Sequence, residues 1–197
     1  MNLVERVKRI LLSPRTEWEV IDTEPTTPAQ LYTGYIAPLA AIAPIAQLIG
    51  YSVFGISVPF VGTYRVPFGS AITSAIVTYV MALAMPYLLA LIIDALAPTF
   101  NGQRSQIQAL KVAAYSSTAS WIAGIFALIP GLRFLTILGV YSLFLLYLGL
   151  PVLMKSPKEK AVGYTVVVIL AAIVLSILIG VVSSMFLRVP GVGMTMP

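Results

Sequence analysis

The sequence predicts an all-α polytopic membrane protein with five transmembrane helices and an N-terminal amphipathic helix. Three observations lead to this fold class: 59% of the 197 residues are hydrophobic, only 10% are charged, and the apolar residues form long runs. About a quarter of the residues of an ordinary soluble domain are charged. A soluble globule of this length could not bury so much apolar surface, and a disordered chain would not contain it.

The segment 1–32 is predicted to lie outside the hydrocarbon, on the cytoplasmic side. Apolar residues recur at helical spacing between Leu3 and Leu11, with charged residues opposite, which predicts an amphipathic helix. Two placements stay open: the helix lies among lipid headgroups, or it packs against the protein's own cytoplasmic face. Residues 15–32 are polar and acidic, and Pro25 and Pro28 interrupt a continuous helix, so this part is predicted to be a juxtamembrane linker.

Five apolar runs follow, each near the roughly 20 residues that a helix needs to cross the hydrocarbon. The third and fourth form one stretch, 107–154, which as a single helix would reach about 72 Å, more than twice the hydrocarbon thickness. The chain must therefore turn back, and Ile129-Pro130-Gly131 offers the turn residues. The transmembrane domain is predicted over 33–188 and an external tail over 189–197, with spans at 33–55, 70–97, 107–130, 131–154 and 161–187.

Basic residues assign the orientation of this arrangement. With five spans, nine of the 12 Lys and Arg residues fall on the side of the N-terminus and three on the other side. Basic residues concentrate on the cytoplasmic side of membrane proteins, so the N-terminus is predicted to be cytoplasmic and the C-terminus periplasmic or external. The same placement explains the pI near 9.6, so no nucleic-acid partner is expected.

One acid and one amine enter the predicted spans. Asp94 lies near the end of the second span and Lys111 near the start of the third, so we expect them to face one another at similar depth. Each alone would cost about 3 kcal/mol at the bilayer centre, and pairing offsets part of that cost. The predicted intramembrane polar site consists of Asp94, Lys111, Tyr115, Ser116, Tyr141 and Tyr147. Two interpretations stay open: a structural clasp, which we favour, or a proton or cation site with Lys111 as its gate.

The sequence argues against catalysis and against metal or cofactor binding. Cys and His are absent, which excludes thiolate and imidazole ligands and the usual nucleophile–base pairs. There is no GxSxG, P-loop or HExxH motif, and a membrane aspartyl protease would need a second intramembrane carboxylate beside Asp94. A Ser–Lys arrangement with Lys111 is the one catalytic alternative left open. We therefore expect a non-enzyme without cofactors.

Small residues recur every four positions on two predicted spans, namely Ser116, Ser120 and Gly124 on the third and Ser70, Ser74 and Thr78 on the second. Such stripes allow close helix approach, so they indicate packing rather than a polar pathway. The expected partners are the lipid bilayer and, through the helical bundle, a second copy or another membrane protein.

Several motifs are similar to those of one known family: Ala114-Tyr115, Ile129-Pro130, the stretch from Tyr141 to Leu150, and the stretch from Lys155 to Ala161. Together they resemble the Yip family of Rab-interacting integral membrane proteins, in its bacterial branch, and residues 13–21 resemble the opening of bacterial members. One departure is Ala119, near where the family often has proline. The resemblance implies a five-span fold with a cytoplasmic N-terminus and an external C-terminus, and it supplies no catalytic residues.

Together these observations predict a non-enzymatic protein of the bacterial inner membrane that organises the membrane or binds a membrane partner. The alternative is a small transporter or channel that uses the polar site at Asp94 and Lys111. The two hypotheses differ in the surroundings of Asp94: a transport site requires hydration, whereas a clasp is dry and packed.

Overall fold

The computed structural model describes residues 2–58 and 62–186. The predicted tail 189–197 and the last residue of the predicted fifth span lie outside the described residues. The described chain is almost entirely helical.

Two short helices, α1 (Leu3–Leu12) and α2 (Pro14–Thr23), open the chain. The Asn2 side chain accepts a hydrogen bond from the backbone N–H of Val4 and so caps α1. Pro14 suits the first turn of α2, where its missing N–H has no helical partner in any case. Ile10 of α1 and Trp18 of α2 are fully buried, so both helices pack against the rest of the protein. The segment predicted as a linker is thus largely helical, with a break at residues 24–27.

The first apolar run forms an irregular helix. It consists of α3 (Pro28–Leu31), a π-helical turn (Tyr32–Ile36), α4 (Ala37–Ala40), α5 (Ile42–Ile49) and a second π-helical turn (Gly50–Phe54). Pro38 and Pro44 lack the N–H that a regular helix requires, which accounts for breaks within this run.

Three later apolar runs form long helices. The helix α6 (Phe68–Leu96) is 29 residues long and continues into a 3-10 turn at Ala97–Phe100. The helix α9 (Tyr141–Leu153) follows a 3-10 stretch at Pro130–Val140, and α10 (Ala161–Phe186) follows a 3-10 turn at Lys158–Lys160.

The segment 106–128 lies at the centre of the bundle. It comprises α7 (Gln106–Ser116), α8 (Thr118–Ala123) and a 3-10 stretch (Gly124–Leu128). Every residue from 109 to 116 is buried, and α7 packs against both α6 and α9. This central position explains why α7 carries small side chains such as Ala109 and Ala113, which let its neighbours approach closely.

Four helical segments of the described chain are long and apolar enough to cross a membrane: Pro28–Phe54, Phe68–Phe100, Pro130–Leu153 and Lys158–Val181. The predicted span 107–130 is not among them, because its helix is interrupted at Ser117 and tightens into 3-10 geometry after Ala123. Four of the five predicted spans therefore correspond to segments of the described chain that are long and apolar enough to cross.

Contacts define the two ends of the bundle. At the end where α1 and α2 lie, which we call the near end, the backbone N–H of Gln103 donates to the carbonyl of Met154 over 2.7 Å. At the opposite, far end, a Cβ placed on Gly50 would lie 2.5 Å from the carbonyl oxygen of Ala127. The segment 106–128 therefore runs from the near end to the far end, and the following stretch to Leu153 runs back.

A short antiparallel ribbon lies between the predicted first and second spans. Its strands are β1 (Ile56–Val58) and β2 (Gly62–Tyr64), with Ile56 paired to Tyr64. Gly55 precedes the ribbon with a positive φ of 81°, a conformation that glycine adopts without steric cost. This ribbon is a small departure from the predicted all-α fold.

Candidate functional site

A buried cation joins the two N-terminal helices. The Arg6 side chain of α1 donates hydrogen bonds to the carboxylates of Glu17 on α2 and Glu24 just beyond it. Arg6 is 5% exposed and Glu17 only 2%, so this ion pair is shielded from solvent. The Arg6 guanidinium also lies 5.6 Å from the centre of the Tyr115 ring on α7, within range of a cation–π interaction. Arg6 thus links α1, α2 and the central helix.

A second buried cation holds the end of α2. The Lys111 ammonium of α7 donates to the backbone carbonyls of Ile21, over 2.9 Å, and Glu24, over 2.7 Å. The last carbonyls of a helix lack partners within the helix and carry its negative dipole end. A buried ammonium, here 4% exposed, both satisfies these carbonyls and is stabilised by them. Lys111 therefore ties the start of the central helix to α2.

The structure gives Asp94 a different partner from the predicted one. Its Oδ2 accepts hydrogen bonds from Nε and Nη2 of Arg104 over 3.2 and 3.0 Å, while Oδ1 is buried without a hydrogen-bond partner. The expectation that Asp94 and Lys111 face one another was wrong. Arg104 lies in the loop that directly follows α6 and reaches the carboxylate, whereas α2 covers Lys111 and supplies carbonyl oxygens.

Aromatic side chains continue the polar cluster into the bundle. The Tyr35 hydroxyl lies 2.7 Å from Oγ1 of Thr118, and the Tyr35 and Tyr115 rings are 4.5 Å apart. The Thr118 hydroxyl also donates to the carbonyl of Tyr115. The hydroxyls of Tyr35 and Thr118 therefore both have hydrogen-bond partners inside the protein.

The remaining predicted site residues lie apart from one another. Ser116 donates to the carbonyl of Ala113 within its own helix, and the Tyr141 hydroxyl donates to the carbonyl of Leu11 at the end of α1. Tyr147 lines a separate cleft beside Arg15. The structure thus places Lys111 and Tyr115 in one cluster, which we call the near-end cluster. Its other members are Arg6, Glu17, Glu24, Tyr35 and Thr118.

Sequence reasoning missed Arg6, Glu17 and Glu24. They look like solvated charges of a surface helix and a linker, because nothing in their spacing reveals that the two segments pack on each other. One signal was present: a basic helix is followed by an acidic stretch, and such charge complementarity favours docking of the two.

A polar cavity of about 320 Å³ opens beside the near-end cluster and is lined by Arg6, Glu24, Tyr35 and Tyr115, among others. Among the described residues, no group of three or more acidic side chains could hold a metal ion. The charges facing this cavity already have protein partners, so the arrangement is suited to fastening the N-terminal helices onto the bundle.

Comparison with known proteins assigns the family. The family model described as Yip1 domain matches residues 8–180, from within α1 to within α10. The chain belongs to the Yip1 domain family. This confirms the resemblance inferred from the motifs, and the match includes the second half of α1 and the whole of α2.

Two curated relatives of this Yip1-domain chain are the inner membrane protein YohC of Escherichia coli strain K12 and its counterpart in E. coli O6:H1 strain CFT073. Each is 26% identical over 156 residues, which cover 77% of this chain and 80% of the relative. No solved structure matches the chain.

Proposed function

We propose that this Yip1-domain protein is a non-enzymatic inner-membrane protein that acts by binding a membrane partner or organising the bilayer. The observation that carries the proposal is the set of contacts of Lys111. The Lys111 ammonium, the one amine of the central segment, is buried and donates hydrogen bonds to two backbone carbonyls at the end of α2. A group held in this way stabilises a docked helical layer, so we assign Lys111 a structural role rather than the role of a gate.

The path of the chain supports five crossings. The segment 106–128 joins the near end to the far end and returns through Pro130–Leu153, which is itself long and apolar enough to cross. Twenty-three residues at about 1.5 Å each reach roughly 34 Å, close to the hydrocarbon thickness. An irregular backbone is tolerated at membrane depth where protein packs against it, and the 3-10 stretch Gly124–Leu128 packs against both α5 and the stretch Pro130–Val140. With five crossings, the charge distribution favours a cytoplasmic N-terminus.

Exposed apolar side chains on the N-terminal helices suggest where a partner binds. Leu12 at the end of α1 is 78% exposed and Val4 is 63% exposed. Such exposed apolar residues on an amphipathic helix are suited to contact with another membrane protein or with lipid. The proposal predicts that a photo-crosslinker at Leu12 forms discrete protein adducts in cells, whereas one at the exposed Val174 of α10 contacts mainly lipid. Lipid adducts alone at both positions would contradict partner binding at this surface.

One observation favours the alternative of a small transporter. The buried, unpartnered Oδ1 of Asp94 is the kind of group that a proton or cation could occupy. However, Asp94 lies at the near end beside the exposed Arg104, rather than midway through the bundle.

Flux measurements in proteoliposomes separate the two functions. We expect no proton, Na⁺ or K⁺ flux above that of empty vesicles, and no change on substituting Asp94→Asn, because the buried cations Arg6 and Lys111 are held by partners within the protein. Ion flux by the wild-type protein that Asp94→Asn abolishes would overturn the non-transport proposal and support the alternative.

A further inference from the structure

A cleft of about 400 Å³ lies on the near end, away from the near-end cluster. It is formed by α2, the last two turns of α9 and the start of α10, and its lining includes Arg15, Glu19, Tyr147, Pro151 and Lys158. None of these residues has a role in the fastening described above. The cleft combines a charged rim with an apolar wall.

The depth of the cleft corresponds to the boundary between hydrocarbon and headgroups. Trp18 of α2 packs so closely on α9 that a Cβ added at Gly149 would lie 2.6 Å from its ring. Gly149 is four residues before the end of α9 at Leu153, or about 6 Å along the helix axis. Because α9 and α10 both belong to segments that can cross the membrane, the cleft faces the bilayer at headgroup level.

The charges on the rim are available for a ligand. Within the described part of the chain, Arg15, Glu19 and Lys158 take part in none of the five ion pairs, which engage Arg6, Arg9, Arg104 and Lys155 as cations. Arg15 and Glu19 are one helical turn apart on α2 and both line the cleft, yet no ion pair joins them. All three side chains are exposed.

We propose that this cleft binds an ethanolamine phospholipid of the surrounding bilayer. Arg15 and Lys158 donate to the phosphate, for which guanidinium and ammonium groups are the usual protein partners. The Glu19 carboxylate accepts hydrogen bonds from the primary ammonium of the headgroup. The acyl chains run along the apolar wall of α9, which continues past Leu148 to the exposed Leu143 and Phe144.

The charge pattern selects this headgroup over the other common ones. Two cations and one carboxylate complement a phosphate joined to a protonated amine. A choline headgroup offers no N–H to Glu19, and a glycerol headgroup offers no positive charge. Glu19 is therefore the residue that determines headgroup specificity, whereas Arg15 and Lys158 contribute to binding of every phospholipid.

Native mass spectrometry of the delipidated, full-length protein tests the proposal by adding back phosphatidylethanolamine, phosphatidylglycerol or phosphatidylcholine. We expect phosphatidylethanolamine to bind tightest. The double substitution Arg15→Gln and Lys158→Gln should weaken binding of all three lipids at least about fivefold, a loss of about 1 kcal/mol. Glu19→Gln should weaken phosphatidylethanolamine alone, to the level of phosphatidylcholine.

Lys160→Gln is the matched control, because it removes another exposed lysine, two residues away, that does not line the cleft. It should leave lipid affinity unchanged. Glycerophosphoethanolamine, the headgroup without chains, should fail to compete at equal concentration. A preference for phosphatidylglycerol, equal loss in the Lys160→Gln variant, or full competition by the chain-free headgroup would each overturn the proposal.

Discussion

Substituting Arg6→Met is expected to lower the free energy of unfolding by about 3–5 kcal/mol, the usual cost of removing one partner of a buried ion pair. The reason is that Glu17, only 2% exposed, would stay buried as an uncompensated carboxylate. Glu24 is less affected, since its side chain is 41% exposed and can be hydrated. The measurement is SDS titration of the purified protein in lipid–detergent micelles, followed by circular dichroism.

Arg9→Met provides the control for Arg6→Met. Arg9 pairs with Glu5 one turn away on α1, and both side chains are about half exposed, so its loss should cost less than about 1 kcal/mol. Adding Glu17→Gln to Arg6→Met should restore much of the lost stability, because the unpaired charge is removed. Equal effects of the two arginine substitutions would contradict a stabilising role for the buried pair.

The second large effect is expected for Lys111→Met, which should destabilise the protein by about 3 kcal/mol and release α2. Methionine retains most of the apolar contact of the side chain but donates to neither carbonyl, and hydrogen bonds to charged groups contribute about 1.5–3 kcal/mol each. Because the chain contains no cysteine, an Ile21→Cys substitution reports on docking: Ile21 is 1% exposed. Its reaction with a maleimide should accelerate at least about tenfold in the Lys111→Met background.

Lys8→Met is the control for this experiment, since Lys8 is an exposed lysine of α1. It should alter neither stability nor the labelling rate of Ile21→Cys. If Lys111→Met left that rate unchanged, the ammonium would not be what holds α2, and the structural role proposed for Lys111 would fail.

The helical architecture could be predicted because it follows from the apolar runs and the turn residues. Proline and glycine at 130 and 131 mark the place where the chain reverses, and the structure has Ile129 in an extended conformation between two 3-10 stretches. The helical spacing between Leu3 and Leu11 likewise predicts α1. These features are local, so a single sequence contains them.

The partners of the buried charges could not be predicted in the same way. Lys111 binds carbonyls that lie 87 and 90 residues earlier in the chain. Because every residue has a backbone carbonyl, the sequence does not show which of them accepts a hydrogen bond. Asp94 pairs with Arg104, which lies between the predicted second and third spans, outside the predicted polar site. The choice between packing on the protein and lying in lipid was also open for α1, and it depends on the complementary charges of α2.

The interruption of the central segment could not be predicted either, because it also depends on contacts between segments that are distant in the sequence. A span that faces lipid on all sides needs an unbroken helix, but a span whose irregular part packs against α5 and the 3-10 stretch Pro130–Val140 does not. By composition alone, 107–130 resembles an ordinary span. The packing of neighbouring segments around it is a tertiary property, which composition does not show.

The most direct test of the account concerns the two ends of the chain. Cysteine at Lys8 and at Pro197, each introduced singly into the cysteine-free protein, can be labelled with a membrane-impermeant maleimide in intact and in lysed spheroplasts. Five crossings predict that Pro197→Cys reacts in intact spheroplasts, whereas Lys8→Cys reacts only after lysis. Labelling of both positions from the same side would contradict the five-crossing fold and the central position of the segment 106–128 within the membrane.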